Sequence, residues 1–156
     1  MCGLVLQDGG SESEAVAALL HDAPEDQGGE AMLSEIEAEF GPEVAEIVAE
    51  CSDTFEQPKP PWRARKERYL AQLAEASPSA LRVSVADKLD NARAIAIDYR
   101  RLRDELWTRF DPESDQLWYY RSLITAYRDI EGFESPLVDE LDRTVSELET
   151  LVRSNA

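Results

Sequence analysis

"AALLHDAPEDQGG", residues 17–29, is the stretch on which the fold turns. An apolar run at helical spacing meets His21, the chain's one histidine, and Asp22, Glu25 and Asp26 follow within six positions, around Pro24. Ser11 and Glu14 form a capping box ahead of Val16, Leu19 and Leu20, so the pattern predicts a helix with this stripe on its apolar face. Proline restricts the residue before it, so the helix should stop near Asp22 or Ala23, with Glu25 and Asp26 beyond its end.

Helical spacing continues outward from this break. Leu33, Ile36 and Phe40 mark a second helix closed by Gly41, and Pro42 opens a third carrying Val44, Ile47, Val48 and Cys51 on one face. The proline-rich "FEQPKPPW" (55–62) reads as a loop. Trp62, Tyr69, Leu70 and Leu73 predict a helix ending before "SPS" (77–79), and a long one follows from Ser79 to Arg103. Two more are expected, one from Asp115 to Glu131 and a last one from Pro136 carrying Leu141, Val145, Leu148 and Val152. With no strand alternation, no Asn-Gly hairpin and no internal repeat, the expected fold is all-α, a single helical domain over residues 1–156.

Composition narrows the function. No apolar run approaches the roughly 20 residues of a membrane span, and "MCGLVLQDGG" lacks the basic start of a secretory signal. Cys2 and Cys51 make neither a disulfide framework nor a zinc motif, so a cytoplasmic protein with reduced thiols is expected. The net charge of −17 argues against broad binding to nucleic-acid polymers. Residues 1–58 hold 15 acids and no Lys or Arg, whereas residues 59–156 hold all 16 basic residues and 18 acids. Solvated helix faces account for most of those carboxylates. The sharper reading is an acidic half that gathers a cation, facing a half that supplies positive charge to an anionic substrate.

Three stretches could carry that chemistry. In "HDAPED", imidazole and carboxylate are good ligands for Mn, Fe, Co or Zn. Adjacent residues point about 100° apart on a helix, so His21 and Asp22 can share an ion only at a helix end. A cation there also relieves Asp22 of facing the negative end of the helix dipole. Glu25 and Asp26, one turn on, could activate or orient water. In "SVADKLDNA" (84–92), Ser84, Asp87 and Asn91 line a stripe beside the apolar Leu81, Val85 and Leu89. Asp87 on such a helix needs a metal or a partner such as Lys88 or a distant arginine, and both readings fit the spacing. "KPPWRARKER" (59–68) carries Lys59, Arg63, Arg65, Lys66 and Arg68, which either fork onto phosphate oxygens or balance the acidic half.

Taken together, "AALLHDAPEDQGG", "FG.EVA.IV..CSDT" and "VADKLDNAR" resemble the HD-domain phosphohydrolases, in particular the hydrolase branch related to the RelA/SpoT-type stringent-response enzymes. The similarity runs in the same order from Val5 to Tyr127. It implies an all-helical, metal-dependent enzyme with His21, Asp22 and Asp87 on a divalent ion, manganese in this branch, with Mg, Fe, Co or Zn as alternatives. Glu25 and Asp26 match the pair implicated in catalysis. Lys88 and Asn91 match positions near the substrate, and Arg65 and Lys66 match phosphate contacts. The reaction implied is removal of the 3′-pyrophosphate from guanosine tetra- or pentaphosphate, a small anionic nucleotide. The alternative is a degenerate domain that binds a nucleotide or a protein partner without turnover. Asp90 stands where the family often has histidine. The family's first metal ligand is a further histidine on a preceding helix, and residues 1–20 contain none. The expectation is therefore a domain shortened at its N-terminus or one that lost that ligand, with a second subunit covering the exposed face.

Overall fold

A computed structural model describes residues 1–52 and 58–155, apart from the Asp26 side chain. Caps and prolines set the helix boundaries. Helix α1 spans Cys2–Gln7, and the turn after it delivers Ser11 to cap α2, Glu12–Leu20. The expected capping box is present: the Glu14 N–H donates to Ser11 Oγ (3.2 Å), and the Ser11 N–H donates to Glu14 Oε2 (2.6 Å). Pro24 then behaves differently from expectation. Instead of only ending a helix it occupies the first turn of a new one, α3 (Ala23–Gln27), which therefore includes Glu25. A first-turn proline gives up no intrahelical bond, so this arrangement carries no penalty.

Helix α4 (Glu30–Phe40) turns into α5 (Pro42–Cys51) at Gly41, whose φ of 90° only glycine adopts freely. Helix α6 (Trp62–Gln72) continues as a 3₁₀ turn, Leu73–Glu75, before Ser77 caps α7, Pro78–Leu102. A second 3₁₀ segment, Arg103–Arg109, leads to α8 (Gln116–Asp129) and α9 (Pro136–Arg153), capped by Asp115 and Ser135. The described residues contain no strand, so the all-α expectation holds. The start of the proline-rich loop, at Phe55, lies outside the described residues.

Helix α7 is the axis. Leu81, Val83, Val85, Ala86, Leu89, Ala92 and Tyr99 are buried on several sides of it, as befits a helix enclosed by α1, α2, α5, α8 and α9. In α2 the stripe read from the sequence holds only in part: Val16 and Leu20 pack at the edge of the core, and Leu19 does not. Leu19 is 70% exposed, and the core positions are Ala15, Ala17 and Ala18, whose small side chains suit α2 lying between α5 and α7. Gly10 shows the same closeness at the α1–α2 turn: an added Cβ would fall 2.5 Å from Val5 Cγ1 and 2.7 Å from the Val5 carbonyl oxygen.

Two ion clusters tie the helices together. Arg82 of α7 donates to Glu14 (2.6 Å) and to Asp8 (3.2 Å), and Ser135, at the start of α9, donates to Asp8 (3.0 Å). On the opposite side Arg121 of α8 grips both oxygens of Glu149 (2.7 and 2.8 Å) and also meets Asp142 and Ser146 on α9. No described helix is long and apolar enough to cross a membrane.

Candidate metal centre

Helix α2 ends at His21, and this geometry decides the protonation of the ring. His21 Nδ1 lies 3.0 Å from the Ala18 carbonyl oxygen, one of the last-turn acceptors that the helix itself cannot satisfy. A carbonyl only accepts, so Nδ1 carries a hydrogen and the neutral ring has its lone pair on Nε2. Nε2 is buried and makes no well-formed hydrogen bond. It faces two carboxylates, with Asp22 Oδ1 at 3.0 Å and Asp87 Oδ1 at 3.2 Å. A lone pair aimed at two anions is repulsive unless something positive sits between them.

That something can be a proton or a metal ion. Burial alone would lower the His21 pKa, but the nearby Asp22 and Asp87 carboxylates reverse this and push it up to about 10. A cation meets the same field. The donor set of one imidazole and two carboxylates suits a borderline divalent ion. A histidine whose other nitrogen donates to a backbone carbonyl is the usual posture of a metal ligand. The 3.0 and 3.2 Å separations also match neighbouring donors set at right angles around an ion held at ~2.1 Å, which stand about 3 Å apart. Among the described residues no group of three or more His, Cys, Asp and Glu side chains is arranged to hold a metal ion. Asp22 and Asp87 are each drawn up against His21 Nε2, and the donor set fits the ion by its chemistry.

Each ligand candidate is held differently. Asp22 takes the N-cap position of α3 but accepts no capping bond through its side chain, and at 65% exposure its carboxylate remains available on the solvent side. Asp87 is the buried member, 8% exposed at its side chain. Its Oδ1 accepts from Asn91 Nδ2 at 2.7 Å, and its Oδ2 accepts from Lys88 Nζ at 2.5 Å. Burial would raise the Asp87 pKa, yet the Lys88 ammonium and then His21 hold it well below the usual carboxylate range. Lys88 stays charged in turn, because Asp87 outweighs the desolvation of its ammonium. The sequence left a metal and a lysine partner as rivals for Asp87, and the structure pairs Oδ2 with Lys88 and turns Oδ1 toward Asn91 and His21.

The other expected residues divide. Lys88 and Asn91 join the His21 cluster through Asp87. Glu25 rides on α3, and its Oε2 lies 4.0 Å from Lys59 Nζ. Asp26 is an expected site residue whose side chain lies outside the described residues. Arg65 and Lys66 take their places on α6, where Arg65 Nε donates to the Pro60 carbonyl (3.1 Å) and Lys66 Nζ sits 5.1 Å from the Tyr119 ring. Arg63 lies flat on Trp118, with its guanidinium carbon 3.1 Å from the ring centre.

What sequence reading missed is the floor under this cluster. Ser84 was placed on the polar stripe with Asp87, but its hydroxyl bonds to Tyr69 (2.7 Å) and Tyr127 (2.6 Å), joining α6, α7 and α8. Lys88 Nζ stands 5.2 Å from the centre of that same Tyr69 ring. Tyr69 and Tyr127 looked like ordinary core aromatics, and nothing in their spacing distinguished them. The 550 Å³ groove bordered by Tyr127, Phe133 and Pro136 shares none of the metal-centre residues.

Comparison with known proteins places the chain among relatives. The family model described as HD domain matches residues 1–118, which include every residue of the cluster. Human guanosine-3′,5′-bis(diphosphate) 3′-pyrophosphohydrolase MESH1 is 39% identical over 92 residues, covering 59% of this chain and 46% of that protein. The Xenopus tropicalis protein of the same name is 33% identical over 141 residues, covering 89% of this chain and 72% of its own length. The alignment thus spans under half of the human relative and nearly three quarters of the frog one. The crystal structure of lmo0812 from Listeria monocytogenes EGD-e superposes with a TM-score of 0.80 at 28% identity, covering 97% of this chain and 96% of that one. A family match over most of its length, and a one-third-identical relative covered over most of its own, place this chain in the HD-domain family.

Proposed function

We propose that this protein is a divalent-metal-dependent phosphohydrolase that removes the 3′-pyrophosphate from guanosine 3′,5′-bis(diphosphate) or a close relative, as the names of its similar proteins describe for them. The observation that carries this reading is the buried His21 Nε2, which faces the Asp22 and Asp87 carboxylates without a well-formed hydrogen bond to either. His21, Asp22 and Asp87 hold the ion, and manganese is our first choice. When bound, the ion polarises a phosphoryl oxygen and lowers the pKa of a coordinated water.

The chain's own residues do the rest. The His21 Nδ1–H bond to Ala18 fixes the ring and leaves Nε2 as the nitrogen that meets the ion once its proton is displaced. Asn91 holds Asp87 Oδ1 in place. Glu25 receives the proton of the attacking water on a carboxylate oxygen, and Lys59 Nζ stands 4.0 Å from that carboxylate. Asp26 is its partner in that role. Arg65 and Lys66 on α6 draw in the phosphate charge, in an otherwise acidic molecule that would repel it. The whole acts as one domain.

The test is direct. Purified protein with Mn²⁺ and guanosine 3′,5′-bis(diphosphate) should release pyrophosphate, and Asp22→Asn should stop it. Nucleotide binding without release of pyrophosphate or phosphate at full metal loading would overturn the proposal.

A further inference from the structure

Lys88 was expected to face the substrate, yet its ammonium is turned inward. It is bound to Asp87 Oδ2 at 2.5 Å, seated over Tyr69, and only 17% exposed at the side chain. The seat is rigid, because the Tyr69 hydroxyl is fixed through Ser84 to Tyr127. At 17% exposure the ammonium presents little open surface to a phosphate. The ammonium also lies on the opposite oxygen from the one that faces His21. Asp87 Oδ1, steadied by Asn91, points at the metal position, and Oδ2 is closed off.

We infer that Lys88 is a positioning residue that sets the charge of the metal centre, weakening its hold on the cation so that the loaded site stays net positive toward an oxyanion. This rests on the reading that His21, Asp22 and Asp87 hold a divalent ion. With a neutral imidazole and two carboxylates alone, a divalent ion would be fully neutralised and would offer an anion little. The fixed ammonium leaves one unit of positive charge over. It does so from behind Asp87, where it occupies no coordination position and blocks no water. Because the site is largely desolvated, that charge is felt strongly by whatever binds in front.

The sign of the effect separates this role from the others. In Lys88→Met, Mn²⁺ measured by calorimetry on the folded full chain should bind at least tenfold more tightly than in the wild type. Inorganic pyrophosphate should bind the Mn²⁺-loaded variant at least tenfold more weakly. Lys88→Arg, which keeps the charge, should restore both constants to within about threefold. If Lys88→Met does not fold, Lys88→Gln keeps a donor for Oδ2 without the charge and should show the same opposed shifts. Damage to the site would weaken Mn²⁺ binding, and a lysine that merely touched substrate would leave it unchanged; either result in a folded variant overturns the inference. A wild-type chain that takes up no Mn²⁺ would instead overturn the metal-centre reading beneath it.

Discussion

Asp22 and Asp87 approach the same nitrogen from opposite environments, so neutralising each by an Asp→Asn change should separate stability from metal binding. Asp87→Asn removes the anion from a buried pair and leaves the Lys88 ammonium with a neutral amide at 2.5 Å. Breaking a buried ion pair from one side costs about 3–5 kcal/mol. Lys88 is 17% exposed and can regain some water, so the lower end, about 3 kcal/mol, applies. For a domain of this length each kcal/mol moves the melting temperature by roughly 2–4 °C, which gives a fall of about 6–12 °C. Asp22→Asn changes a carboxylate that is 65% exposed and caps no helix. Losing its contact with His21 should cost about 1 kcal/mol or less, since one partner is solvent-exposed. Thermal melts by circular dichroism in EDTA read both numbers. Repeating them in millimolar Mn²⁺ should raise the wild-type melting temperature and leave Asp22→Asn unmoved, since only a folded state that binds the ion is stabilised. Equal losses for the two variants in EDTA, or an Asp87→Asn protein as stable as the wild type, would refute the assignment of Asp87 as the buried, lysine-paired member.

Gly10→Ala should cost about 1–3 kcal/mol in urea unfolding, because the new methyl would meet the Val5 backbone oxygen at 2.7 Å, where no rotamer change relieves it. Glu14 is 3% exposed; burial alone would raise its pKa, but the Ser11 N–H, Ser79 and Arg82 together lower it from the ordinary 4.5. The folded value lies below the unfolded one, so its contribution is present above about pH 4.5 and fades as pH falls through the folded value. Glu14→Gln should therefore lose about 2 kcal/mol at pH 7 and progressively less in acid, as urea titrations at each pH would read. Burial pushes the Cys51 thiol up to about 12, so at pH 8 iodoacetamide should leave it unmodified in the native chain and alkylate it once urea unfolds the protein, as peptide mass mapping would show.

Helix count, caps and the main breaks were legible because they are local. The Ser11–Glu14 box, Gly41, Pro42 and Pro136 act through neighbours within a turn, and each does in the structure what its spacing implies. Pro24 escaped because a proline that stops one helix and one that opens the next leave the same local signature. The α2 face escaped for a different reason. Periodicity ranks side chains by hydrophobicity, but α5 and α7 lie close enough to bury alanines and leave Leu19 in solvent. The floor of Tyr69, Ser84 and Tyr127 also needed three helices to meet before it existed.

The sequence by itself determined the inventory: an all-helical chain, an imidazole and carboxylates at one helix end, a further carboxylate on the central helix, and basic charge confined to the second half. Only the tertiary structure decided how that inventory is wired. It set which nitrogen of His21 is free, which oxygen of Asp87 faces it, and that Lys88 turns inward. Such choices depend on directions and distances of a few ångströms between residues 66 positions apart in the chain, as His21 and Asp87 are. Local spacing carries no information about them, because the fields that fix them arise only when helices from distant parts of the chain close around His21, Asp87 and Lys88.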